Sequence, residues 1–217
     1  MKKRHILVIA GASGVGKTTI ATRLLSENAQ LGFVRSVTTR APRGDGHDSE
    51  YIYKSSEEFK SLADAGAFIE HMEYGGNMYG TPVFELERIF DDGKIPLLIL
   101  DIKGVRSLRH RKFDFEPVII YIWENLSVIE KRLYSRDLGE APTAEKLISF
   151  VKRKDMNLRD YQNMTTIVDL FDAFVENDSI ENAVVEIKST FSKIVSGYRK
   201  DKEKNEKIAK ELYKMTL

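Results

Sequence analysis

The sequence predicts an α/β fold, a parallel sheet core with helices on both faces, carrying an inserted subdomain and a small lid. Three observations carry the prediction. Short apolar runs rich in β-branched residues recur at Ile6-Leu7-Val8-Ile9-Ala10, from Ile95 to Asp101 and from Pro117 to Trp123. Each run is followed by a stretch of mixed charge with helical spacing, and between the first two runs the composition changes. A strand covered by helices on both faces is apolar at successive positions rather than alternate ones, so these runs read as buried parallel strands. At 217 residues and 42% hydrophobic content the chain can bury a core of its own, which suits one compact domain with inserts.

The elements follow in order. After Ala10 comes a glycine-rich segment, and Thr18 to Leu25 has the composition of a helix. The altered stretch from about Val34 to Asp92 has strand-like pieces at Glu50-Tyr51-Ile52-Tyr53 and Phe68-Ile69-Glu70-His71-Met72. We read residues 36–92 as the insert and residues 1–35 and 93–196 as the core. Within the insert, Ser55-Ser56-Glu57-Glu58 has the spacing of a capping box, and Pro82 suits the first residue of a second helix that stops at Gly93. Near Asp137 to Thr143, Gly139 and Pro142 separate two helical stretches, which predicts a mobile lid within about residues 137–150. Phe174-Val175 and Asn177-Asp178 read as a last short strand leading into a helix from about Ser179 to Val195. Residues 197–217 carry many charges; a solvated terminal helix or frayed tail and a pairing or docking helix are both compatible with them.

Bulk charge limits the partners. Lys+Arg 34 against Asp+Glu 33 leaves a net charge of +1, so the overall field favours neither nucleic acid nor an anionic membrane, and anion binding must be local. The chain has no cysteine, which excludes disulfides, thiolate metal sites and thiol catalysis and suits a reducing compartment; a cytoplasmic protein is expected, as monomer or homodimer. The apolar run after Met1-Lys2-Lys3-Arg4 is too short for a signal peptide, and no apolar stretch approaches the roughly 20 residues that span a bilayer. His5, His47, His71 and His110 are isolated, so no zinc site is expected, and Trp123 reads as packing.

Gly11-Ala12-Ser13-Gly14-Val15-Gly16-Lys17-Thr18 matches G-x-x-x-x-G-K-[ST] at every fixed position, between a strand and a helix. Glycines let the backbone curl so that several N–H groups converge on phosphate oxygens, and the next helix adds its positive dipole end. Lys17 is then placed for the β and γ phosphates and the Thr18 hydroxyl for Mg²⁺, with Gly11 to Thr19 forming the cradle of a P-loop core. The motif implies a bound nucleoside triphosphate; the acceptor must be read elsewhere.

In the insert, Arg40 and Arg43 bracket Ala41-Pro42, and Tyr51 and Tyr79 add phenolic donors. Two guanidinium forks can hold a phosphomonoester dianion, though two arginines three apart are also ordinary surface charge. Glu70 sits among Phe68, Ile69 and Met72, where a carboxylate needs a partner; a rim salt bridge would satisfy it as well as a ligand.

Together these strings resemble the guanylate kinase family. The matching pieces are Gly11 to Thr19, Ser36-Val37-Thr38-Thr39-Arg40-Ala41-Pro42-Arg43, Glu58-Phe59, Gly66 to Glu70, Gly76-Asn77-Met78-Tyr79-Gly80-Thr81, Asp101 to Val105, and Phe171 to Val175 with Asn177-Asp178, in family order. The resemblance implies Mg²⁺-dependent transfer of the terminal phosphoryl group of ATP to GMP, giving ADP and GDP, and makes the insert the GMP-binding subdomain. It implies that Arg40, Arg43, Tyr51 and Tyr79 hold the GMP phosphate and that Ser36, Glu70 and Thr81 contact guanine. An ionised carboxylate only accepts, which matches the N1–H and 2-amino donors of guanine and repels adenine. Arg132 and Arg136 fit the family's R-L-x-x-R pattern, with Arg153 a third arginine of the lid side; with Lys17 and Arg40 they form the expected catalytic set.

Two departures stand out. The family strand usually ends D-x-D, whereas here the first of these positions is Ile99 and only Asp101 remains, open to the guanine amino group or to a Mg²⁺-bound water. In the lid, Arg136-Asp137-Leu138-Gly139-Glu140 replaces the usual R-G-T, with a longer spacing to Arg153. These departures leave room for a related kinase acting on another phosphorylated acceptor. A non-catalytic binding module of the same fold typically loses the intact P-loop, which this chain keeps.

Overall fold

A computed structural model of the chain describes residues 3–42, 48–74, 76–138 and 142–217. Its elements in chain order are β1 (Arg4–Gly11), α1 (Lys17–Glu27), β2 (Leu31–Phe33), β3 (Ser36–Thr38), β4 (Tyr51–Tyr53), α2 (Ser56–Asp64), β5 (Phe68–Tyr74), β6 (Asn77–Pro82), α3 (Val83–Asp91), β7 (Ile95–Ile99), α4 (Ile102–His110), β8 (Phe115–Trp123), α5 (Leu126–Asp137), α6 (Ala144–Gln162), α7 (Met164–Ile167), β9 (Ala173–Glu176), α8 (Ile180–Val195) and α9 (Lys202–Lys214). A five-stranded sheet runs β2-β7-β1-β8-β9 and a four-stranded sheet runs β4-β3-β6-β5. The β2–β7 and β8–β9 pairs are parallel, as expected for an α/β core. Ile6 to Ala10 and Val118 to Ile122 are all buried, the two-sided burial that their unbroken apolar runs predict.

The chain divides into two compact units, one of Met1–Leu7, Leu25–Leu98 and Lys103–Pro117, the other of Val8–Leu24, Ile99–Ile102 and Val118–Leu217. In the first unit, α2 opens with the expected capping box: the Ser55 hydroxyl accepts from the Glu58 backbone while the Glu58 carboxylate accepts from the Ser55 N–H. The helix packs Phe59 on Phe68 at 4.7 Å between ring centres, with Val37, Ile52 and Met78 completing a small core under the four-stranded sheet. Pro82 is one place earlier than the helix: it is the extended last residue of β6 and caps α3, which begins at Val83. Gly93, with φ of 70°, follows that helix as expected. Glu85, on the buried side of α3, is gripped by Arg35 and Arg88.

In the second unit the charged C-terminal segment is neither frayed nor fully solvated. α9 buries Asn205, Ile208, Ala209 and Leu212, a stripe spaced 3, 1 and 3 residues apart, against α6, α7 and β9. Asp201 caps its start by accepting from the Lys204 N–H, and the Asn205 amide donates to the Asp172 carbonyl at 3.1 Å. The charges lie on the outward side, so the segment docks on its own domain. Among the described residues no helix is long and apolar enough to cross a membrane.

Candidate active site

In the second unit, the loop after β1 is shaped by close approaches that only glycine permits. A Cβ on Gly11 would fall 2.4 Å from the Ile122 carbonyl oxygen, and one on Gly16, at φ of 103°, would fall 2.6 Å from the Asn177 amide nitrogen. The Lys17 ammonium folds back to donate to the carbonyls of Gly11 and Ala12, each at 2.9 Å. Burial lowers its pKa to about 8, opposed by the carboxylates of Asp101 and Asp160 and assisted by Arg136 and Arg153. Asp160 is pushed up to about 6 by burial and by the neighbouring Asp101 carboxylate, with Lys17 acting against the rise. Lys17, Asp101, Asp160 and two of the expected lid-side arginines therefore share one electrostatic cluster.

Ser13, Lys17, Thr18 and Thr19 line a cavity of about 610 Å³ together with Arg132 and Arg136 of α5 and the start of α8. Arg132 donates to the Glu124 carboxylate at 3.3 Å and to the Asn177 carbonyl at 3.2 Å. Asp137 joins the other two arginines: Arg136 grips it at 2.7 and 3.1 Å, and Arg153 donates to it at 3.3 Å. Burial would raise the Asp137 pKa, but Arg136 and Arg153 hold it below the ordinary carboxylate range. Of the expected lid, residues 139–141 lie outside the described residues.

The four-stranded sheet of the first unit gathers the expected acceptor residues on one face. Ser36 pairs with Tyr51, Thr38 with Tyr79 and Glu70 with Thr81, and side chains two apart on a strand share a face. Ser36, Tyr51, Glu70, Tyr79 and Thr81 thus point the same way. A bulge between Phe68 and Glu70 makes this possible, because it turns Phe68 toward the small core and Glu70 to the opposite face. The Thr81 hydroxyl donates to Glu70 Oε1 at 2.8 Å. The Arg40 guanidinium lies 5.0 Å over the Tyr51 ring and 3.9 Å from Asp48, with its buried Nε unmatched by any hydrogen-bond acceptor among the described residues. Tyr51 and Tyr79 meet edge to face at 6.3 Å. Arg43 and His47 lie outside the described residues. His71 packs beside Phe59 and Phe68, on the face away from Glu70.

Residues 3–194 match the family profile described as Guanylate kinase. The chain belongs to the guanylate kinase family. A guanylate kinase of Rubrobacter xylanophilus is 31% identical over 199 residues, covering 91% of this chain and 98% of the relative. One from Homo sapiens is 33% identical over 189 residues, covering 86% and 91%. Among solved structures, the guanylate kinase from Anaplasma phagocytophilum superimposes with a TM-score of 0.61 at 25% identity, covering 94% of this chain and 90% of that one.

Several residues of this guanylate kinase site escaped the sequence reading. The Asn157 side chain clamps the Ser13 peptide of the P-loop, accepting from its N–H and donating to its carbonyl, both at 2.8 Å. Tyr161, one turn on, does the same to Glu124: its hydroxyl donates to the Glu124 carbonyl at 2.7 Å and accepts from the N–H at 3.2 Å. The Asn177 amide donates to the Val15 carbonyl at 2.6 Å. Arg111 caps the start of β5 by donating to the carbonyls of Phe68 and Ile69. A signal for the first two existed: Arg153, Asn157, Asp160 and Tyr161 recur at the spacing of one helix face. Where the family's D-x-D strand loses a carboxylate to Ile99, the carboxylate beside Asp101 is Asp160, from α6.

Proposed function

We infer that the chain is an ATP:GMP phosphotransferase that converts ATP and GMP to ADP and GDP. The single observation that carries the acceptor side is the shared face of Ser36, Tyr51, Glu70, Tyr79 and Thr81, with a buried Arg40 nitrogen that meets no acceptor among the described residues. Small nucleotides suit a chain with net charge of +1 better than polynucleotides do, and the lack of cysteine favours the cytoplasm.

In this reading residues 36–92 hold GMP, the P-loop core holds ATP, and the segment 137–150 closes over the transferring group. Arg40, Arg43, Tyr51 and Tyr79 bind the GMP phosphate. Glu70, with one oxygen already fixed by the Thr81 hydroxyl, accepts from guanine N1–H and the 2-amino group. Lys17 leaves its carbonyl partners to follow the β and γ phosphates, and Arg132, Arg136 and Arg153 neutralise the charge that spreads over the equatorial oxygens. Asp137 spaces the last two of these arginines.

The hard oxygen donors near Lys17, namely the Thr18 hydroxyl and the carboxylates of Asp101 and Asp160, suit Mg²⁺ held partly through water. Thr18, Asp101 and Asp160 would hold the ion there, and it would supply positive charge against the phosphates as they react. A GMP phosphate oxygen forms the new P–O bond as the bond to the ADP oxygen breaks. That nucleophile is ionised near neutral pH, its second pKa being about 6, so no side chain needs to remove a proton.

The test is ATP-dependent diphosphate formation across a panel of GMP, dGMP, AMP, CMP, UMP and a sugar phosphate. The guanine nucleotides should lead the panel by a wide margin, with Mg²⁺ required. Turnover of AMP, CMP, UMP or the sugar phosphate at a rate equal to that of GMP would overturn the reading.

A further inference from the structure

Asn157 sits in the middle of α6, 2% exposed, where asparagine is a poorer helix former than alanine by roughly 0.5–0.7 kcal/mol. Its amide makes two hydrogen bonds of 2.8 Å to the backbone of one residue, Ser13. A phosphate cradle needs successive N–H groups turned inward, and each peptide that turns outward must find other partners. The Ser13 N–H and the Ser13 carbonyl, which belong to successive peptide groups, both find theirs on Asn157. The Ser13 N–H is therefore spent on the protein, and the cradle is left to the N–H groups from Gly14 onward. One turn before Asn157 on the same helix stands Arg153, tied to Asp137, and Asp160, beside Lys17, lies three places after it. Tyr161 fixes the following turn to Glu124, whose carboxylate holds Arg132. The loop that takes the donor phosphates and the helix that carries a charge-neutralising arginine are thus pinned to each other at one residue.

We propose that Asn157 is a positioning residue for phosphoryl transfer: it presets the P-loop for the triphosphate and ties that loop to the helix bearing Arg153. The inference rests on the phosphotransferase reading above for its meaning in catalysis, but the contact it concerns lies wholly within the P-loop unit. The role belongs to the donor side alone. Acceptor binding, which that reading gives to the other unit, should not depend on it.

The test compares wild type with Asn157→Ala and Asn157→Asp by calorimetric titration with Mg²⁺ and a non-hydrolysable ATP analogue, and separately with GMP, backed by steady-state kinetics. Asn157→Ala should weaken the ATP analogue about tenfold while GMP affinity stays within twofold, and kcat/KM for ATP should fall more than kcat/KM for GMP; leaving both Ser13 groups unmatched supplies the loss. Asn157→Asp keeps the acceptor for the Ser13 N–H but sets a carboxylate against the Ser13 carbonyl. It should still weaken the analogue, by at least about threefold, and decides the matter if the alanine variant does not fold. An unchanged affinity for the analogue in a folded variant would overturn the proposal, and so would equal weakening of the analogue and GMP, the mark of general loosening. If the wild-type enzyme fails to phosphorylate GMP, the functional reading falls while the titration with the analogue still decides the role of Asn157.

Discussion

The Thr81 hydroxyl donates to Glu70 Oε1 across the β5–β6 pair at 2.8 Å, so the carboxylate presented on the sheet face is held by its cross-strand neighbour. The shape of Thr81 is not what holds it, since valine would fill the same space. Thr81→Val should therefore leave the fold intact and lower kcat/KM for GMP about five- to tenfold, the effect of roughly 1–1.4 kcal/mol from one charge-assisted hydrogen bond. Kinetics with GMP varied at saturating ATP would show it. A variant equal to wild type would mean that Glu70 is oriented by other contacts.

Lys17 is half-buried at the cavity wall and desolvation lowers its pKa to about 8, so it remains mostly protonated at neutral pH while its partly desolvated charge acts strongly on nearby anions. Lys17→Ala should lower kcat by about 10²-fold or more, as for the loss of one preorganised electrostatic stabiliser. GMP affinity, measured by titration, should change little. An unaltered kcat would remove the P-loop from the mechanism.

Glu85 offers a pH test of the first unit. Burial raises its pKa, but the guanidinium groups of Arg35 and Arg88 outweigh that and bring it down to about 2. A carboxylate depressed in the folded state stabilises above its unfolded pKa and loses that contribution as pH falls through the folded value. The side chain is 2% exposed while both arginines are nearly half exposed, so roughly 2–3 kcal/mol is the scale. Denaturant unfolding of wild type and Glu85→Gln should differ by about that much at pH 7, and the gap should close between about pH 4.5 and 2. A gap independent of pH would point to packing rather than charge.

How much of this was open to the sequence depended on whether the signal was local. The P-loop was legible because glycine, lysine and threonine at fixed spacing encode a backbone path, and the buried strands were legible because two-sided burial leaves an unbroken apolar run. The face shared by Ser36, Tyr51, Glu70, Tyr79 and Thr81 was not, because strict alternation places Phe68 and Glu70 on the same side; the bulge that separates them is set by pairing with β6. Asn157 was missed for a similar reason. Its partner lies 144 residues away, and the one-face spacing of Arg153, Asn157, Asp160 and Tyr161 marks a shared helix face without naming what that face meets. Domain docking of α9 could have been read from Asn205, Ile208, Ala209 and Leu212, but the surrounding charges masked that stripe.

The docking of α9 makes its own prediction. Leu212 is fully buried, so Leu212→Ala should cost about 2–4 kcal/mol in unfolding free energy, whereas a truncation on a solvated helix stays within about 0.5 kcal/mol. Denaturant unfolding decides between them. An effect within 0.5 kcal/mol would return the segment to the surface.

Choice of guanine by the Glu70 carboxylate, as proposed above, is read from the ratio of kcat/KM for GMP to that for AMP in Glu70→Gln. Glutamine keeps nearly the same size but replaces one acceptor oxygen with a donor that faces the donors of guanine. Adenine, with an acceptor at N1, loses less or gains. The preference for GMP should fall at least about tenfold, or about 1.4 kcal/mol, in a protein that unfolds like wild type. A folded Glu70→Gln enzyme with the full wild-type preference would contradict it and move guanine recognition to other residues.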